Sequence, residues 1–135
     1  MKINLSTQIK NHKRRGEWAE LRFMTRAAEH GLMVSKPWGD SAPYDLMVEH
    51  HGRILRIQVK STTYKHDDAY KCHVTANGVP YSSHHLDFIA AYVIPTDTWY
   101  IIPIKAVGTQ IHLRLNPESK RSKCDRYKEA WHLLL

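Results

Sequence analysis

Asp45 stands near the start of one strand candidate, Tyr44 to Glu49, and Gln58 and Lys60 lie at the far end of the next, Arg53 to Ser61. His50-His51-Gly52 between them is a hairpin connection. In antiparallel neighbours joined so tightly, the first residue of one strand lies beside the last of the other. A carboxylate, an amide and an amine therefore converge at the end away from the turn. Alternation places Leu55, Ile57 and Val59 on one face, and Ile54, Arg56, Gln58 and Lys60 on the other. A solvated strand face with an Asp–Lys cross-strand pair, worth ~0.2–1 kcal/mol, is the bland account of this pattern. The chemical account is a site for Mg²⁺, a hard cation that takes oxygen ligands and keeps several waters. Hydrolysis of a phosphodiester needs an activated water, neutralised phosphoryl charge and a stabilised leaving group. Asp45 and the Gln58 oxygen supply ligands. Lys60 orients or deprotonates the water, or stabilises developing charge.

A helix is expected from about Gly16 to His30, with Trp18, Leu21, Met24 and Ala28 at helical spacing and Gly31 as its C-cap. Its expected buried stripe is Leu21, Met24 and Ala28. Glu17 falls inside that stripe and Glu20 at its border. A carboxylate facing a core is costly unless paired or bound to a cation. Periodicity does not choose between the two glutamates.

These elements sit in a chain of one-domain length, 135 residues, with 42% hydrophobic and 24% charged residues. That composition excludes a disordered chain, and no apolar run approaches the roughly 20 residues of a membrane helix. Met1 to Leu5 carries charge with no apolar signal core behind it, so a cytoplasmic location is expected. Cys72 and Cys124 are expected to be reduced thiols. There are ten histidines, but His50-His51, Cys72-His73 and His84-His85 lack zinc-ligand spacing. A net charge of +7 favours a polyanionic partner.

The remaining chain reads as short strands. Leu32 to Lys36 precedes a loop, Pro37 to Pro43; Ala69 to Thr75 precedes a turn at Asn77 to Pro80. Asp87 to Ile94 is almost wholly apolar, as a strand buried on both faces should be. Thr98 to Pro103 follows, then an edge strand at Ile111 to Leu115 and a helix from Asp125 to Leu134. This order predicts an α/β domain, one mixed sheet with flanking helices.

Pro43-Tyr44-Asp45, twelve residues, then Gln58-Val59-Lys60 resembles the signature of the PD-(D/E)XK nucleases. The Gln-x-Lys variant resembles their group I intron-associated endonucleases. Gly16-Glu17-Trp18-Ala19-Glu20 is similar to that subgroup's Gly-x-x-Ala-Glu helix motif. Asp87 to Tyr92 and Trp99 to Pro103 resemble its later core strands. The departures are Tyr44 between Pro43 and Asp45, and Gln58 in place of an acid, which removes a negative ligand.

The resemblance implies a restriction-endonuclease-like core over roughly residues 10 to 105 and a metal-dependent cut in double-stranded DNA, of the homing type. It selects Glu20 as the helix acid. The implied catalytic set is Glu20, Asp45, Gln58 and Lys60, with Glu20, Asp45 and Gln58 on Mg²⁺, which Mn²⁺ can replace. Expected DNA contacts are Lys13, Arg14 and Arg15 ahead of the helix, Lys65 and Lys71 after the active strand, and Lys120, Arg121 and Lys123 in the tail. Tyr64 and Tyr70 lie among the second group. Cutting two strands needs two active sites, so a homodimer or homotetramer is expected, and Tyr127, Ala130, Trp131, Leu133, Leu134 and Leu135 offer either an interface or a cap on the monomer core. The alternatives are a resolvase-like or repair nuclease acting on branched DNA, and a DNA-binding module without catalysis.

Overall fold

Asn11 caps the helix that carries the acid: its side-chain oxygen accepts the Arg14 amide at 3.1 Å. The computed structural model describes residues 9–135, so the Met1 to Leu5 reading lies outside the described residues. Helix α1 (His12–Glu29) begins at His12 rather than Gly16, and Gly31 at φ 83° lets the chain leave it. Lys13, Arg14 and Arg15 are thus the helix's first turn, not a segment ahead of it. Its buried face is also not the expected one. Ala19, Phe23 and Ala27 are buried, whereas Leu21 is 60% exposed, Ala28 is exposed and Met24 is half-buried. Both triads have helical spacing. The small–large–small one wins, because two alanines let the helix approach the sheet while Phe23 fills the gap between them.

After α1 come β1 (Met33–Ser35), β2 (Leu46–His50) and β3 (Arg53–Thr62), then four short strands, β4 (Lys65–His66), β5 (Ala69–His73), β6 (Thr75–Ala76) and β7 (Val79–Pro80). Strands β8 (Phe88–Val93) and β9 (Thr98–Pro103), the one-turn helix α2 (Ile104–Val107) and β10 (His112–Leu115) complete the pattern. The main sheet runs β1-β2-β3-β8-β9, antiparallel except between β3 and β8. The β2–β3 turn is two residues, His51 and Gly52, both at positive φ as this tight hairpin requires.

The single expected sheet is corrected here. Strands β10, β5 and β4 form a separate three-stranded sheet, and β6 with β7 a small hairpin. Parallel neighbours need a long crossover, and this chain builds that crossover from strands instead of a helix. The layers are therefore helix, main sheet, small sheet. Strand β8 alternates between them. Phe88, Ala90 and Tyr92 join the α1-side core, and Ile89, Ala91 and Val93 join the core under the small sheet. Cys72 and Cys124 are buried free thiols in the second core.

The expected C-terminal helix is also corrected. Asp125–Tyr127 and Trp131–Leu134 are separate 3₁₀ turns, parted by Glu129 at φ 51°. Glu129 instead clamps Trp99: its amide donates to the Trp99 carbonyl at 2.7 Å, and its carboxylate accepts the Trp99 amide at 2.9 Å. The segment covers the free edge of β9. Ala130, Trp131 and Leu134 are buried in this chain's own core, so they cap the monomer. Among the described residues no helix is long and apolar enough to cross a membrane.

Arg56 closes the crossover. Its guanidinium reaches both Asp87 carboxylate oxygens at 3.1 and 3.2 Å and the Ser83 and His84 carbonyls at 2.9 Å, and its amide donates to Asp87 at 2.8 Å. Burial pushes the Asp87 carboxyl up, but the hydrogen bonds from Arg56 outweigh it and hold it below its usual value. Arg56→Ala leaves these acceptors to water and is expected to cost on the order of 2 kcal/mol, read from urea unfolding. A depressed carboxylate stabilises the fold above its unfolded pKa of about 3.9 and loses that effect as pH falls through its folded value. The gap between wild type and variant should hold from neutral pH down to about 4 and narrow below it. A gap that widened in acid would overturn this account.

Candidate active site

The β2–β3 hairpin places the site. Leu46 pairs with Ile57, which brings Asp45 opposite Gln58 at the open end. The Asp45 amide donates to the Ile57 carbonyl at 2.9 Å, and its carboxylate Oδ2 accepts the Val59 amide at 2.8 Å. The acid is thereby fixed to the strand that carries Gln58 and Lys60. As expected, Leu55, Ile57 and Val59 are buried against α1, leaving Gln58 and Lys60 on the opposite face, half-buried.

Two clefts meet at Asp45. The larger, about 550 Å³, runs between Asp45 and Gln58 on one side and the β6–β7 hairpin with Tyr81 on the other. The smaller, about 200 Å³, is lined by Glu20, Lys36, Tyr44 and Asp45. Asp40, Ala42 and Asp45 border both. Glu20 therefore reaches the site, whereas Glu17 is exposed on α1 and lines neither cleft.

Burial pushes the Asp45 carboxyl up to about 6. The Val59 hydrogen bond opposes this, the Glu20 charge adds to it, and Lys60 and Lys36 pull it back down. Glu20 is itself held by Lys36, whose Nζ lies 2.9 Å from its carboxylate. Lys60 Nζ donates to the Thr75 carbonyl at 3.3 Å and lies 5.3 Å from the centre of the Tyr81 ring. A carbonyl oxygen and an aromatic face are partners for an ammonium cation.

Among the described residues no three His, Cys, Asp or Glu side chains gather into a metal cluster. The donors that do meet are oxygens: Asp45, the Gln58 amide beside it and Glu20 across the smaller cleft. Such a set suits a hard cation that keeps several waters. The raised Asp45 carboxyl points the same way, because a cation restores a buried carboxylate to its charged form.

Of the four expected site residues, Glu20, Asp45 and Gln58 thus line the two clefts, and Lys60 stands beside Tyr81, which lines the larger. The expected DNA contacts are scattered. Lys13 and Arg14 are exposed on α1, and the Arg15 guanidinium lies 2.9 Å from His12 Nδ1. Lys65 and Lys71 belong to the small sheet, and Lys120, Arg121 and Lys123 are exposed in the loop before Cys124. Tyr64 is 60% exposed, while Tyr70 packs partly into the second core. Lys36, Asp40, Thr75 and Tyr81 escaped the sequence reading. Thr75 and Tyr81 arrive with the crossover as it returns over β3, and Lys36 and Asp40 with the loop between β1 and β2, and no local pattern encodes either approach. Trp38 is 99% exposed, between Pro37 and Gly39 on the rim of the smaller cleft, and an aromatic inside a polar loop was its one signal.

The family model for PD-(D/E)XK endonucleases matches residues 10–134. A bacterial homing endonuclease, I-Ssp6803I, superposes with a TM-score of 0.80 at 29% identity, covering 94% of this chain and 93% of that one. Hjc, a Holliday junction resolvase from the archaeal hyperthermophile Archaeoglobus fulgidus, superposes with a TM-score of 0.53 at 14% identity, covering 76% and 84%. That second likeness is one of fold. No curated protein sequence matches the chain significantly.

Proposed function

The chain belongs to the PD-(D/E)XK endonuclease family, and from that premise we propose that it hydrolyses phosphodiester bonds of double-stranded DNA with a divalent cation, Mg²⁺ or Mn²⁺, at the junction of its two clefts. The observation that carries this reading is Asp45, tied to the strand of Gln58 and Lys60 and facing Glu20 across the smaller cleft.

Asp45, the Gln58 amide oxygen and Glu20 would hold the cation, which supplies Lewis-acid neutralisation of phosphoryl charge when bound. Lys60 acts as a cation. The Thr75 carbonyl takes one ammonium hydrogen and the Tyr81 ring flanks the group. The two remaining hydrogens can meet the attacking water and a phosphoryl oxygen. Water oxygen bonds to phosphorus as the bond to the leaving sugar oxygen breaks; the water gives a proton to solvent, and the leaving oxygen takes one from solvent. Lys60 stabilises the charge that develops on the phosphoryl group. Gln58 keeps the local charge low, so a phosphate approaches against less repulsion than a third acid beside Glu20 and Asp45 would raise.

The homing endonuclease likeness covers both chains almost entirely, and it supports a homing-type role for this chain. Two cuts in one duplex need two such sites, so a homodimer or larger assembly is the working state. The test is nicking of supercoiled plasmid with Mg²⁺, with Mn²⁺ and with chelator, and a branched substrate run beside it. Cleavage is expected only with metal. Glu20→Gln should lose it and Glu17→Gln should keep it. Faster cleavage of the branched substrate would favour a resolvase-like role. Salt-sensitive binding without any cut, with either metal, would leave a DNA-binding module.

A further inference from the structure

The outer face of the small sheet sets two cations directly opposite one another and two histidines beside them. Lys71 on β5 pairs in register with Arg114 on β10, and His73 pairs with His112, their rings 6.0 Å apart. Their neighbours in the alternation, Cys72 and Leu113, are buried, so all four share the solvent side. Like charges in such positions destabilise a sheet. No ion pair relieves them: among the described residues neither Lys71 nor Arg114 has a carboxylate within 4 Å, and the nearby Asp67 turns to His66 at 3.6 Å. The crowding is felt locally: desolvation first, and then the neighbouring Lys71 and His73, hold the His112 ring below its usual value. Between them lies a basin of about 260 Å³ lined by His66, Tyr70, Lys71, His112 and Arg114.

We propose that this face is a second contact for the phosphate backbone of duplex DNA. The inference rests on the nuclease reading above. Continuity with the cleft supports it: the chain leaves β5 through Val74 and enters β6 at Thr75, whose carbonyl holds Lys60. Four residues of extended chain, about 13 Å, separate Lys71 from Thr75. A duplex lying in the cleft passes close to the sheet. The repulsion built into the free protein is relieved when phosphates arrive.

This gives two readouts of opposite sign. Lys71→Thr with Arg114→Thr should raise the thermal midpoint, because the repelling pair is gone and threonine suits a strand. The same variant should bind a short duplex of arbitrary sequence more weakly, measured by fluorescence anisotropy in chelator across a salt series. Two lost phosphate contacts reduce the slope of log K against log salt by about 1.8, roughly 60-fold in affinity between 1 M and 0.1 M salt. The charge-preserving swap, Lys71→Arg with Arg114→Lys, should bind as wild type does. An unchanged slope in the threonine variant, with wild type still cutting DNA, would overturn the proposal and leave the nuclease reading intact. Failure of wild type to cut or bind any DNA would remove that reading and the proposal with it.

Discussion

Lys60→Ala and Asp45→Asn should each abolish nicking of supercoiled DNA, by at least ~10²-fold and as much as ~10⁴-fold, while DNA binding survives. Lys60 is held by partners on another element, the Thr75 carbonyl and the Tyr81 ring, so its loss removes a placed charge and no core packing. Lys60→Arg should restore little, because a planar guanidinium does not reproduce a compact ammonium between those partners. Asp45→Asn keeps an oxygen for the Val59 amide and removes only the charge. It also has a thermodynamic signature. Burial pushes the Asp45 carboxyl up to about 6, so in metal-free protein its ionisation costs stability progressively as the pH rises from about 4, and the cost is complete above about 6. In chelator at neutral pH the Asn variant should unfold at a higher temperature than wild type. Below about pH 4 the wild-type carboxyl is protonated in both states and the difference should vanish. Gel time courses, anisotropy and thermal unfolding on the same samples decide the matter. Cleavage within threefold of wild type in Lys60→Ala would sink the site assignment. A less stable Asp45→Asn would sink the account of its charge.

The part of this site that could be read without coordinates is the part built by a hairpin. Asp45, Gln58 and Lys60 lie within one β-turn-β unit; the expected connection, His50-His51-Gly52, is one residue longer than the turn His51-Gly52, but the convergence at the open end survives that difference. Strand β8 was equally legible, because burial on both faces leaves no polar residue from Phe88 to Val93 apart from the Tyr92 hydroxyl. That hydroxyl is paired with Asp97. What failed was whatever tertiary packing decides. Two triads on α1 both have helical spacing, and composition favoured the larger side chains of Leu21 and Met24 over Ala19 and Ala27. The strand at His112–Leu115 was seen, but pattern alone could not show that it pairs with β5 outside the main sheet. The tail from Asp125 to Leu134 has helix-forming residues, yet Glu129 gains more from both backbone groups of Trp99 than from a helical turn. Lys36 is the telling case for the site. It is a loop lysine before a proline, and only the packing of α1 against β1 brings it to Glu20.

Phe23→Ala should be among the most damaging single changes outside the site. Phe23 is fully buried, with ring centres 5.5 Å from Trp99 and 5.4 Å from Trp131. It thus joins α1 to β9 and to the C-terminal turn that caps the same core. Truncating a buried aromatic removes its transfer free energy and leaves a cavity, together about 3–5 kcal/mol. A domain stabilised by about 5–15 kcal/mol loses a large share of its margin. Leu21→Ala, two residues away, should move stability by no more than about 0.5 kcal/mol, since that side chain is 60% exposed. The helix stripe expected from apolar spacing reverses this ranking, so one pair of urea titrations separates the two faces. The damage should also reach the chemistry. Glu20 lies one turn before Phe23, and its approach to Asp45 depends on α1 staying seated on the sheet. At a temperature where Phe23→Ala is still folded, cleavage should fall, and raised Mn²⁺ should restore part of it by holding Glu20 and Asp45 together. No concentration of metal should restore Lys60→Ala, whose defect is a missing charge rather than a loosened helix.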